Sequence, residues 1–326
     1  MNKVFVSYKM PAEQLNRLSE YCDVDIWQGK GSIPRNELMT RVADVDGIIC
    51  LLTERIDAEL IGWAKNLKAV SCVSVGVDHV DVDVLSARGI PLGHTPGVLV
   101  DATADLAFGL LLAAARRIPQ GDSYARSGGW QGASWSPKAF LGSSVAGKTL
   151  GIIGLGDIGQ AVARRAVGFD MPVVAWSRSG REMAGVRNLS FEQVLRQSDF
   201  VSINVALTEE TKGLIDAEAL SKMKSGAILV NTARGGIVDE GALAEALKEG
   251  RLAAAGFDVF QLEPVAPDNP LFDAPHFVAT PHIGSATPET RLAMMDLAVT
   301  NMCTAMSGEQ MPCCFNADVY ENSCED

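Results

Sequence analysis

Arg234, Glu263 and His282 each stand a few residues past an apolar run in the second half of this chain. A guanidinium can grip a carboxylate through two parallel hydrogen bonds and so orient whatever that carboxylate is attached to. An imidazolium can protonate a nascent alkoxide, and a neighbouring carboxylate favours the charged ring. Together these groups have the makings of a site that reduces a 2-oxo acid, provided a hydride donor lies beside it. The search for the acid is short, because the chain has four histidines. His79 and His94 lie in the first third and His276 precedes an apolar run, whereas His282 lies just beyond the run Phe277–Thr280, where open α/β sheets place ligands. Pro281 keeps the backbone before it extended, and Gly284-Ser285 allows a close turn. Singly, each of the three is most simply a salt-bridge or solvated loop residue. Three at successive strand ends beyond a dinucleotide fingerprint are hard to obtain by accident.

That fingerprint is Leu150-Gly151-Ile152-Ile153-Gly154-Leu155-Gly156-Asp157-Ile158-Gly159, an apolar strand running through G-x-G-x-x-G into a helix. Gly154 permits the tight turn, Gly156 lets the backbone approach a pyrophosphate, and Gly159 lets the helix pack on the strand. The helix start then offers unpaired N–H groups and its positive dipole end to the phosphates. A glycine-rich turn alone can serve packing only, and the flanking elements carry the argument here. An acid at the end of the next strand would bond the ribose 2′-hydroxyl of NAD. Instead Val173–Trp176 runs into Ser177-Arg178-Ser179, which has no carboxylate to repel a 2′-phosphate and can bond one. NADP(H) is therefore the expected cofactor, with NAD(H) as the alternative. In the first third, Ser74-Val75-Gly76-Val77-Asp78-His79 follows a strand and exposes backbone N–H groups at a glycine. It reads equally as a carboxylate cradle or as an ordinary strand-to-helix turn.

Holding such groups requires parallel sheets, and strand-like runs alternate with helix-like segments almost throughout, the mark of an α/β fold. Strands are expected at 3–7, 24–27, 47–52, 69–75 and 91–94, with helices at 12–20 and 35–43 opened by Pro11 and Pro34. A long helix rich in small residues, 101–117, suits the junction of two domains. A Gly-, Ser- and Trp-rich loop follows to about Gly147. A second series then gives strands near 150–154, 173–176, 200–205, 227–231, 254–259 and 277–280. Ser190 with Gln193 forms a capping-box pattern, Asp239 caps a helix closed by Gly250, and Pro288 opens a last helix ending near Met306. The expected division is a dinucleotide-binding domain over 99–286 and a second domain from 1–98 plus 287–326.

With 28 basic and 40 acidic residues the formal charge is −12, which argues against nucleic acid or an anionic membrane as partner. No stretch reaches the roughly 20 apolar residues of a membrane helix, and the N-terminal run reads as a strand rather than a leader. Seven cysteines, at 22, 50, 72, 303, 313, 314 and 324, show no zinc-type spacing. Reduced thiols in a cytoplasmic protein are expected, with no metal site.

The motifs Gly154-Leu155-Gly156-Asp157-Ile158-Gly159, Asn231-Thr232-Ala233-Arg234-Gly235, Gly256-Phe257-Asp258-Val259-Phe260 with Glu263-Pro264, and Pro281-His282-Ile283-Gly284-Ser285 resemble the D-2-hydroxyacid dehydrogenases over essentially the whole chain. Within them, Lys3-Val4-Phe5-Val6, Cys50-Leu51-Leu52, the 74–79 turn, Gly128-Gly129-Trp130 and Gly308-Glu309-Gln310-Met311-Pro312 look closest to the glyoxylate/hydroxypyruvate reductases. The resemblance implies two Rossmann-like, doubly wound domains, the first flavodoxin-like, with the active site in the cleft between them, and a homodimer. It implies that Arg234 binds and orients substrate, that His282 is the acid/base supported by Glu263, and that the Val75 and Gly76 amides hold the carboxylate. Implied cofactor contacts are Thr103, the 154–159 turn, Ser177, Arg178, Ser179, Thr232 and Asp258. Gly284 joins these on the cofactor side and Ser285 on the substrate side. One departure stands out: where the closest reductases carry a further pocket aromatic, this chain has Ala139, flanked by Trp135 and Phe140. The leading expectation is reduction of glyoxylate to glycolate and of hydroxypyruvate to D-glycerate. The alternatives are the same chemistry on a larger oxo acid, such as a 2-ketoaldonate or aryl pyruvate, and a dinucleotide-sensing regulatory protein that binds without turnover.

Overall fold

The computed structural model describes residues 1–132 and 135–321, so Cys324 and the acidic tail after Glu321 lie outside the described residues. The chain divides into two compact units, one formed by Met1–Leu99 with the chain from Thr287 onward, the other by Val100–Ala286.

In the first unit β1 (Asn2–Val6), β2 (Cys22–Ile26), β3 (Gly47–Cys50), β4 (Ala69–Cys72) and β5 (Leu92–Gly93) form a parallel sheet in the order β2-β1-β3-β4-β5. This is the flavodoxin-like winding. β3 and β4 are buried along their whole length, as strands covered on both faces must be. The last helix, Pro288–Met306, is capped by the Thr287 hydroxyl, which accepts from the Thr290 N–H. It returns to this sheet through Asn301, whose side chain donates to the His94 carbonyl (3.0 Å) and accepts from the Cys313 N–H (3.1 Å).

The second unit holds β6 (Leu150–Ile153), β7 (Val173–Trp176), β8 (Val186–Asn188), β9 (Phe200–Ile203), β10 (Ala227–Asn231), β11 (Leu252–Phe257) and β12 (Phe277–Ala279). All pair in parallel in the order β12-β11-β10-β9-β6-β7-β8. The winding reverses at β6, between β7 and β9, the switch point where such sheets bind ligands. Alternation fills two cores: Ala227 and Leu229 of β10 pack on one face, Ile228 and Val230 on the other. Ser190 forms the expected capping box with Gln193, and Asp239 caps the helix Glu240–Lys248.

The small-residue helix runs Val100–Arg116 within the second unit and stops one residue earlier than its pattern suggests. Arg117 turns left-handed (φ 55°), and a further helix, Ile118–Arg126, starts with Pro119 in its first turn. That helix and β8 are absent from the sequence expectation. The first is amphipathic without a buried residue and the second spans only three residues, so neither leaves a clear hydrophobic period. Replacing Asn301, fully buried, with Leu would strand the His94 carbonyl and the Cys313 N–H. A loss of about 1–3 kcal/mol per stranded group is expected, read by denaturant unfolding of the first unit; an unchanged midpoint would contradict this role for Asn301.

Candidate active site

At the end of β6 the three fingerprint glycines take three different jobs. Gly154 lies at φ +99°, and a Cβ there would fall 2.8 Å from the Asn204 backbone. A Cβ on Gly159 would fall 2.0 Å from the Gly154 carbonyl oxygen, so no side chain is compatible with this helix-to-strand approach. Gly156 is the N-cap of the helix Asp157–Ala166, and a Cβ there would project into open space. Leu155 is buried and Ile158 half-buried in the core, while Gln160 closes the turn by donating to the Leu155 carbonyl (3.3 Å). Along the same edge of the sheet, Thr232 Oγ1 after β10 and Asn204 Oδ1 after β9 are buried without a hydrogen-bond partner. An open cradle at a helix N-terminus, flanked by two unpartnered polar atoms, fits a nicotinamide dinucleotide.

Beyond β7, the Ser177 and Ser179 hydroxyls lie 3.1 Å apart, and Arg178 pairs with Glu210. All are solvent-facing. Asp157, in the first turn of the fingerprint helix, pairs with Arg181 at 2.9 Å.

The chemistry-bearing groups come from the ends of β10, β11 and β12. Asn231, buried at the end of β10, accepts from the Ala233 N–H (3.0 Å) and donates to the Arg234 carbonyl (2.9 Å), which fixes the turn that presents Arg234. The Arg234 guanidinium donates back to the Ala233 carbonyl at 2.9 Å. Gly235 allows this turn to press on the next loop: a Cβ there would lie 1.8 Å from the Phe260 carbonyl carbon. In that loop Glu263 accepts from the Phe260 N–H through Oε1 (2.8 Å) and meets His282 Nδ1 through Oε2 (2.6 Å). Nε2 is thus the ring nitrogen left for a ligand. His282 itself lies at φ 55°.

Asp258 is responsible for that turn. Its oxygens accept from Thr280 Oγ1 (2.6 Å), the Ile283 N–H (2.8 Å) and the Gly284 N–H (2.7 Å), and its carbonyl accepts from the His282 N–H (2.9 Å). Burial pushes the Asp258 carboxyl above its ordinary value, against those hydrogen bonds and the nearby His282 charge. A side chain on Gly284 would meet Asp258 Oδ2 at 3.3 Å and Thr103 at 3.4 Å, so these three expected residues are neighbours. Ser285 follows on the same turn, half-buried. His276 sits elsewhere, pushed below its ordinary value by burial and by Arg117.

In the first unit, Ser74 turns the chain after β4 by donating to the Gly76 carbonyl (2.8 Å), and His94 Nδ1 lies 3.1 Å from the Val75 carbonyl. The Val75 and Gly76 N–H groups meet no acceptor among the described residues. Of the flanking aromatics, Trp135 is 85% exposed, while Phe140 packs against Tyr124 (centroids 4.9 Å) and lies under the Arg117 guanidinium (5.5 Å). Sequence reasoning missed Asn231, Asn204 and Thr280 as parts of the site. A buried amide at a strand end was the available signal for the first two, and Thr280 has none without its partner.

Residues 108–284 match the model of the D-isomer specific 2-hydroxyacid dehydrogenase NAD binding domain. A glyoxylate reductase of Pyrococcus furiosus is 46% identical over 98% of this chain and 96% of its own. Among solved structures, a Thermus thermophilus protein superposes with a TM-score of 0.90 at 46% identity, covering 96% of this chain and 99% of its own. An NADPH-dependent glyoxylate/hydroxypyruvate reductase from Sinorhizobium meliloti, solved with NADP and malonate, gives 0.84 at 33% identity, with 97% of each chain covered.

Burial pushes the Glu263 carboxyl up, but the His282 hydrogen bond, the Phe260 N–H and the charges of His282 and Arg234 outweigh it and hold it below its ordinary value. A carboxyl held lower in the folded chain than in the unfolded one stabilises the fold above its unfolded value. It loses that contribution as pH falls through the folded value. Glu263→Gln should therefore cost stability at neutral pH and progressively less as pH falls into and below the ordinary carboxylate range. Thermal unfolding of both proteins across that range checks it, and a difference that stays constant with pH would contradict it.

Proposed function

The chain belongs to the D-isomer-specific 2-hydroxyacid dehydrogenases, and on that premise we propose that it reduces glyoxylate to glycolate and hydroxypyruvate to D-glycerate, preferring NADP(H) to NAD(H). The observation that carries this reading is the 2.6 Å His282–Glu263 pair at the carboxyl ends of the strands that also present Arg234. Bound, the reduced nicotinamide supplies a hydride to the carbonyl carbon. Arg234 holds the substrate carboxylate and polarises the carbonyl. His282 gives the Nε2 proton to the carbonyl oxygen, and Glu263, accepting from Nδ1, stabilises the imidazolium before that transfer. The Val75 and Gly76 amides, without an acceptor among the described residues, are the first unit's candidates for binding a carboxylate, and Ser285 is a further substrate-side residue. Thr103, the 154–159 turn, Ser177, Arg178, Ser179, Thr232, Asp258 and Gly284 make up the cofactor side.

The NADP(H) preference is supported by the absence of a carboxylate in Ser177-Arg178-Ser179. The Arg178–Glu210 pair is exposed on both sides, and such pairs are weak enough to yield to a phosphate. A homodimer is supported by the apolar side chains that Ile118, Trp130, Trp135, Phe140 and Leu141 leave in solvent. A cytoplasmic setting is supported by the six cysteines among the described residues, all of them free thiols. Among the described residues no helix is long and apolar enough to cross a membrane. Because Phe140 is engaged with Tyr124 and Ala139 adds little bulk, a larger oxo acid on the same groups is the second reading.

His282→Ala should lower kcat for glyoxylate by about 10²–10⁴-fold while leaving dinucleotide affinity little changed; an equal loss of both would contradict its role. Arg178→Ala should raise KM for NADPH and spare NADH, measured with glyoxylate saturating. Equal effects on the two cofactors would remove the case for 2′-phosphate recognition.

A further inference from the structure

At the carboxyl ends of β3 and β4 the first unit holds a cluster that the reduction of an oxo acid does not use. Cys50 and Cys72 are register partners on these adjacent strands, both fully buried, with their sulfurs 3.5 Å apart. His79 comes from the turn after β4, where its carbonyl accepts from the Ile56 N–H (2.9 Å). One ligand atom from each of the three lies within 4.8 Å of the others. Both His79 ring nitrogens are buried without a well-formed hydrogen bond among the described residues, and the ring lies near enough to Cys50 to favour its thiolate. The Tyr8 hydroxyl, close to Cys50, is also buried and unpartnered. Unsatisfied polar atoms converging on two thiols are unusual in a folded interior and ask for a missing partner.

We propose that Cys50, Cys72 and His79 form a buried binding site for Zn²⁺. Two sulfurs and an imidazole nitrogen are the donors that suit this ion, and the trio contains no carboxylate oxygen of the kind that would favour Mg²⁺ or Ca²⁺. Two thiolates on one tetrahedral Zn²⁺ at about 2.3 Å lie about 3.7 Å apart, close to the spacing already present. On binding, each thiol releases its proton to solvent as its metal–sulfur bond forms, and the imidazole coordinates as the neutral ring. The ion with two thiolates then carries no net charge, which a buried site favours; Cu⁺ with the same ligands would leave a buried negative charge. A disulfide would join the sulfurs but leave the imidazole unpartnered. The site would pin the turn from Cys72 to His79, and with it the Val75 and Gly76 amides. Its ligands are 22 and 7 positions apart along the chain, a spacing without a motif, because strand pairing rather than a local loop brings them together.

The test is titration of reduced, metal-stripped protein with Zn²⁺ against a chromophoric chelator, without oxygen, alongside Cys50→Ser/Cys72→Ser and His79→Gln. A single tight equivalent is expected in the wild type, lost in the double variant and weakened in His79→Gln. Cys22, Cys303, Cys313, Cys314 and Cys324 remain in every variant, so wild-type binding no stronger than that of the double variant overturns the proposal, as does a site that takes Cu⁺ but not Zn²⁺. Since buried serines can disturb folding, X-ray absorption on the zinc-loaded wild type gives a second reading. A shell with two sulfurs at about 2.3 Å and a histidine nitrogen at about 2.0 Å supports the site, and a shell of oxygen and nitrogen alone overturns it.

Discussion

The buried carboxylate of Asp258 is the constraint on which the rest of the site depends. A carboxylate only 1% exposed is tolerable when its lone pairs are taken, and here a hydroxyl and two amides from residues 280–284 take them. With the His282 N–H on the Asp258 carbonyl, the whole segment after β12 is tied to the end of β11. His282 can then be held left-handed, a conformation that costs a non-glycine residue energy and persists where its surroundings fix it. Its Nδ1 is thereby delivered to Glu263.

Two further contacts tie the neighbouring strand ends to this one. The bare Cα of Gly235 lets the Arg234 turn lie against Phe260 and Gln261, so Arg234 and the loop bearing Glu263 cannot move independently. Glu240, itself buried, anchors the far side of that loop by accepting from the Gln261 N–H and from Asn269, both at 2.6 Å. Cation, carboxylate and imidazole are thus positioned by short polar contacts between consecutive strand ends, which a parallel sheet supplies without any distant segment.

Much of this was legible from residue order. G-x-G-x-x-G between an apolar strand and a helix dictates a phosphate turn: neighbouring backbone forces glycine at 154 and 159, while Gly156 leaves open the space into which a Cβ would project. Arg234, Glu263 and His282 were legible because each follows an apolar run, and parallel sheets gather such ends on one edge. The role of Asp258 as organiser of the His282 turn was not, since a carboxylate next to a strand reads first as a ligand contact and its three donors lie more than 20 residues away. The helix Ile118–Arg126 was hidden by its solvent-facing apolar side chains, and the Cys50–Cys72–His79 cluster by pairing across strands.

The central claim is that Asp258 sets the geometry through which Glu263 engages His282. The most direct measurement is the NMR signal of the His282 Nδ1 proton in the wild type and in Asp258→Asn, in which an amide replaces one acceptor oxygen. A strongly downfield, exchange-protected Nδ1 proton in the wild type that disappears in the variant is the predicted result. The same resonance, unchanged in the variant, would show that Glu263 holds the imidazole without Asp258 and would contradict the account.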